Sequence, residues 1–165
     1  MASNYGRNFG FRRSDETMSR HEGRQRVPAT GVFKQGMAVT FDAANPGYIK
    51  LAENGKPVVA GMTGLLVQED AWDVVPGVQT DLSKVHNNRL CTIWFGSGVK
   101  VWFRNTGTDD LIDFTTVPAI GDFLGVSAPG KLGVVATNGQ TQPQHALAVV
   151  TTTNGTDYLE AVLLK

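Results

Sequence analysis

The stretch ALAVVTTTNGTDYLEAVLL, residues 146–164, decides the fold class of this chain. Two runs rich in Val, Leu and Thr, 146–152 and 157–164, flank Asn154-Gly155. β-Branched residues suit a pleated, half-buried surface. Asn-Gly supplies the positive φ that a two-residue hairpin turn requires. The stretch therefore reads as a β-hairpin.

Working outward, the same grammar recurs. Asn54-Gly55 and Asn138-Gly139 repeat the hairpin signal, and Asn45-Pro46-Gly47, Val75-Pro76-Gly77 and Ala128-Pro129-Gly130 each put proline before glycine. That order suits a type II turn. Short apolar-alternating runs separated by turn signals about every 8–12 residues predict a sandwich or barrel. The 19 glycines and 7 prolines leave little room for long helices. The expected strands are a Met37-Val39-Phe41 run with one apolar face and a hairpin of 48–51 with 57–60 about Asn54-Gly55. A buried strand 65–68 follows, then a hairpin of 90–95 with 99–104 about Gly96-Ser97-Gly98. A third hairpin joins 123–126 to 132–136 about Pro129-Gly130. In 99–104, Val99, Val101 and Phe103 oppose Lys100, Trp102 and Arg104 across the sheet. Residues 78–88 and 105–113 are polar and irregular, and read as loops.

The expected fold class is all-β, a small β-barrel or β-sandwich with a long extended N-terminal arm. Residues 1–26 contain no Val, Ile or Leu and carry six arginines against three acids. Without branched aliphatics such a segment cannot offset its ordering entropy alone. Val27-Pro28 marks the boundary, because proline biases its predecessor toward extended geometry. The division is a basic arm, 1–26, and a β body, 27–165. The net charge of the whole is zero, so the arm at +3 leaves the body at −3. An acidic body disfavours nucleic-acid binding through a broad basic face.

Cys91 is the only cysteine, which excludes an intrachain disulfide and a cysteine-based zinc site within one chain. The polar N-terminus lacks the apolar core of a signal peptide. No apolar run approaches membrane-spanning length. The expectation is a soluble protein made in the cytosol.

Few residues point to chemistry. His21, His86 and His145 share no metal-ligand spacing. Acidic residues cluster at Glu69, Asp70 and Asp73 and at Asp109, Asp110 and Asp113, without EF-hand spacing. Turn carboxylates are common for local reasons, and a weak divalent-cation site at the second cluster stays open. There is no G-x-S-x-G elbow, Walker loop or dinucleotide fingerprint. Cys91 reads as a small buried hydrophobe. The expectation is no enzyme, no cofactor and no metal.

The arm interleaves Tyr5, Arg7, Phe9, Phe11, Arg12 and Arg13, with Arg20 further on. Such a segment docks on a protein, with aromatic anchors and Arg forks on carboxylates, stacks on single-stranded bases, or remains a free tail. The candidate partner-binding residues are Arg7, Phe9, Phe11, Arg12, Arg13, Arg20 and Trp72. Trp72 is an aromatic among acids just past a strand, where it can anchor a subunit contact.

The order Phe33-Lys34-Gln35-Gly36-Met37-Ala38-Val39-Thr40, Gly47-Tyr48-Ile49-Lys50, Pro57-Val58-Val59-Ala60-Gly61-Met62-Thr63-Gly64-Leu65-Leu66-Val67-Gln68-Glu69, and later Gly121-Asp122-Phe123-Leu124-Gly125-Val126 and Pro129-Gly130-Lys131-Leu132-Gly133, resembles the head-decoration (capsid cement) proteins of tailed bacteriophages. The resemblance covers the body from Gly31 to Val135. It implies a small β-barrel on the exterior of a virion capsid, a homotrimer that clamps the major capsid protein and stabilises the shell; the lack of a membrane-spanning run adds the expectation of no membrane partner. The arginine-rich arm departs from that family and suggests a strap across neighbouring capsid subunits. Two alternatives stand beside it: a nucleic-acid-binding OB-like module with a basic arm, and a tail or fibre structural protein.

Overall fold

The computed structural model of the chain describes residues 9–11, 21–59, 61–67, 84–85, 87–104, 111–135 and 143–165. These residues are all-β. In chain order the strands are β1 (Phe9–Phe11), β2 (His21–Arg26), β3 (Phe33–Lys34), β4 (Ala38–Phe41), β5 (Ile49–Leu51), β6 (Thr63–Val67), β7 (Lys84–Val85), β8 (Leu90–Phe95), β9 (Lys100–Arg104), β10 (Phe123–Ala128), β11 (Lys131–Val134), β12 (Ala148–Thr153) and β13 (Tyr158–Leu163). One antiparallel sheet has the order β1-β9-β13-β12-β10-β11, a second β2-β8-β6-β4-β5, and β3 pairs with β7.

The second sheet nearly closes on itself. Its two edge strands meet where Arg26 bridges Tyr48 and the Arg26 amide donates to the Gly47 carbonyl at 2.8 Å. Val27, Phe33, Val39, Ile49, Leu66, Cys91 and Ile93 form one apolar cluster. Their neighbours in sequence, Ala38, Leu65 and Trp94, join a larger cluster with the inward residues of β9 to β13. Alternation with period two thus sends successive residues of β4, β6 and β8 into two different cores. That is why Leu65-Leu66 and Ile93-Trp94 are unbroken apolar pairs: the sheet is buried on both faces. The expected single apolar face of the Met37-Val39-Phe41 run is corrected accordingly, since Ala38 is also fully buried.

The hairpins expected about Pro129-Gly130 and Asn154-Gly155 form. Ala128 pairs with Lys131 about Pro129-Gly130, with Gly130 at φ 75°. β12 pairs with β13 about Asn154-Gly155, with Gly155 at φ 95°. Two other expected hairpins do not. β5 pairs with β4, and 57–59 form no strand. Pro57 has no amide to donate, and the Ala52 amide instead donates to the Ala38 carbonyl. β8 and β9 lie in different sheets, so Gly96-Ser97-Gly98 is a corner rather than a hairpin turn. The Gly96 and Gly98 amides donate to the carbonyls of Lys165 and Leu163, which draws β9 alongside β13.

Two segments of the expected arm are strands of the subunit's own sheets. All six residues of β2 pair with β8, from His21↔Phe95 to Arg26↔Leu90, and β1 pairs with β9 from Phe9↔Phe103 to Phe11↔Val101. Edge pairing uses backbone N–H and C=O groups and needs no branched aliphatic side chains. The five-stranded sheet therefore runs across the Arg26/Val27 boundary drawn from composition.

Candidate functional site

Of the residues expected to bind a partner, Phe9 and Phe11 lie in β1 at the edge of the six-stranded sheet. Arg7, Arg12, Arg13, Arg20 and Trp72 lie outside the described residues. Arg26, at the end of β2, is exposed, and its Nη1 donates to the Asn88 carbonyl at 2.9 Å.

The groups weighed for chemistry are mostly engaged in structure. Among the described residues no group of three or more His, Cys, Asp or Glu side chains is placed to hold a metal ion. His21 lies in β2, His86 is outside the described residues, and His145 ends a short 3-10 turn with Nδ1 3.4 Å from the Lys56 carbonyl. Of the second acidic cluster only Asp113 is described. Its Oδ1 accepts from the Thr115 amide at 2.9 Å and hydroxyl at 2.7 Å. Those two bonds, helped by Ser127 and Lys131, hold its carboxyl below the ordinary range. An acceptor already committed to its own turn is a local cap. Cys91 is buried in the barrel with Sγ 3.2 Å from the Gln25 carbonyl, and burial pushes its thiol up to about 12. A thiol so far from ionising is a poor nucleophile.

Trp94 is buried between the two sheets, while Trp102 is half-buried on the outer face of β9. Trp102 stacks on Tyr158 with ring centroids 6.4 Å apart and planes 25° from parallel.

Two apolar surface features were not anticipated. The first is the turn 117–123, between the Asp113 cap and β10. Val117, Ile120 and Phe123 are 48%, 69% and 52% exposed. The turn is nonetheless pinned. The Ala119 amide donates to Asp122 Oδ2 at 2.8 Å, and the Gly121 amide to the Val150 carbonyl at 2.9 Å. The Val150 amide returns a bond to the Asp122 carbonyl at 2.9 Å. The second is a cleft of about 240 Å³ beside β4 and β5, with Phe41, Ala52, Val58, Val59 and Met62 in its walls and Lys50, Glu53 and Lys56 at its rim. The cleft wall is held from behind. The Val58 amide donates to the Gln144 carbonyl at 2.9 Å, and Lys165 Nζ donates to the Val58 carbonyl at 3.2 Å. The sequence signal for both was present. Thr116-Val117-Pro118-Ala119-Ile120-Gly121-Asp122 and Pro57-Val58-Val59 place apolar residues in turn-forming surroundings, where burial on a strand face is not available to them.

No family model matches the chain, and no curated protein sequence matches it. Among solved structures, it is similar to the base of a bacteriophage phi29 head fiber, gp8.5. The superposition has a TM-score of 0.48 at 11% sequence identity and covers 87% of this chain and 93% of that one.

Proposed function

We propose that this chain is a structural virion protein that decorates and stabilises a bacteriophage capsid. It binds the major capsid protein on the shell exterior, acts as a trimer without catalysis or cofactor, and uses the residues of its N-terminal arm outside β1 and β2 as a strap across neighbouring subunits. The observation that carries this reading is the motif order from Phe33 to Gly133 that resembles the decoration proteins. Its glycine signals lie at β4, at the start of β6, at the turn into β10 and in the β10–β11 hairpin. Arg7, Arg12, Arg13 and Arg20 supply forks for shell carboxylates, Phe9 and Phe11 supply apolar anchors, and Trp72 supplies a further contact. Repeating the strap three times adds avidity to contacts that are individually weak.

The test is reconstitution on purified shells of the major capsid protein from the same genome. The expected result is saturable occupancy and a higher shell melting temperature. Changing Arg7, Arg12, Arg13 and Arg20 together to Ala should lower occupancy, and added salt should weaken the wild type more than this variant. Absence of wild-type binding at any salt concentration would overturn the proposal. Substitution is preferable to removing residues 1–26, because that deletion also takes away β2.

A further inference from the structure

We infer that the exposed 117–123 turn of one copy seats in the cleft lined by Val59 and Met62 of a second copy. The inference deepens the proposed trimer and rests on that reading. The turn is a preformed apolar knob, held by its bonds to β12, with Ile120 and Phe123 at its surface. The cleft is a preformed, open and mainly apolar recess of about 240 Å³. A dry apolar cavity of ~150 Å³ already takes benzene, so an Ile or Phe side chain is of a size to fill it.

Charge selects the occupant. At the rim, Glu53 is matched by Lys50 at 3.1 Å, and exposed Lys56 adds a second cation. The arm, at +3, would bring like charge to that rim. The knob brings Asp122, a half-buried carboxylate with one oxygen capping Ala119. Knob and hole are different surfaces, so the contact is heterologous and propagates from copy to copy, closing into a ring where its rotation permits.

The test is the light-scattering mass of the full chain across a dilution series, with thermal melts to show that each variant folds. Both Ile120 and Val59 are exposed, so a charge at either leaves the fold intact. Ile120→Lys and Val59→Lys should each weaken association at least about tenfold. Lys56→Gln and Asp122→Asn, which retains the capping oxygen, should each weaken it about threefold, and the double variant no further than the weaker single. A wild type that is monomeric at every concentration overturns the inference, and so does an oligomer unchanged by Ile120→Lys and Val59→Lys. In either case wild-type occupancy on shells still tests the decoration reading separately. Loss of shell binding by Ile120→Lys without a change of mass would assign the knob to the shell instead, and overturn the pairing of copies.

Discussion

Gly64 shows how a single missing side chain sets the sheet spacing. A Cβ at that position would collide with the Trp94 carbonyl and stand 2.8 Å from Ile93 Cγ2. The neighbours are backbone and a buried core residue, so little can yield. Gly64→Ala should therefore cost about 2–3 kcal/mol by overpacking, read as a lower urea midpoint with an unchanged slope. An unaltered midpoint would show that β6 and β8 can separate freely. Asp113 carries a smaller, pH-dependent term. Its folded pKa lies below its ordinary value of 3.8 because Thr115 bonds favour the charged form. Stability from this group is fully present above that ordinary value and is lost as pH falls through the lower folded value. The stability gap between wild type and Asp113→Asn should be present at pH 6 and shrink steadily in acid below pH 4. A gap that is constant or widens on acidification would contradict the assignment.

At the scale of elements, β2 is the decisive strand. It gives the barrel a fifth stave and brings Arg26 to Tyr48, where the sheet nearly closes. Among the described residues, a chain starting at His21 loses the three-residue edge strand β1, whereas a chain starting at Val27 also loses the β2–β8 ladder. The expected outcome is a modest drop in melting temperature for the first and loss of cooperative unfolding for the second, followed by circular dichroism. Equal melting of the two would mean that β2 is dispensable. Element type was mostly legible in the sequence, because period-two alternation in 99–104 and the turns at Pro129-Gly130 and Asn154-Gly155 are local signals. Element partnership was legible at Pro129-Gly130 and Asn154-Gly155, where the two strands that flank the turn pair with each other, but not at Asn54-Gly55, where the following segment forms no strand. At Gly96-Ser97-Gly98, glycine flexibility permits a hairpin or a corner equally, and the choice was made by carbonyls about 65 residues away, on Leu163 and Lys165.

At the scale of the whole molecule, the two cores are joined. Met37 packs against both apolar clusters, and β4, β6 and β8 send alternate residues into each. Neither core can empty without disturbing the shared sheet. Thermal unfolding should accordingly be one transition, with calorimetric and van't Hoff enthalpies in agreement. Met37→Ala should lower its midpoint without splitting it, at a cost of about 2–3 kcal/mol. Two resolved transitions would show that the barrel and the six-stranded sheet unfold independently. The candidate site followed the opposite course from the fold. The arm was marked by its charge and lack of aliphatics, both compositional, whereas the knob and cleft depend on which apolar residues the turns leave outside.

By itself, the sequence determined that this protein is built of short strands, that residues 1–26 differ in charge from the rest, and that Cys91 is buried. These follow from local backbone preference and composition, which neighbouring residues settle among themselves. Only the tertiary structure decided that the barrel nearly closes through residues of the basic segment, that β8 and β9 belong to different sheets, and that Ile120 and Phe123 face outward. Those outcomes depend on hydrogen bonds and packing between residues far apart in the chain, and no local preference encodes which distant partner will satisfy them.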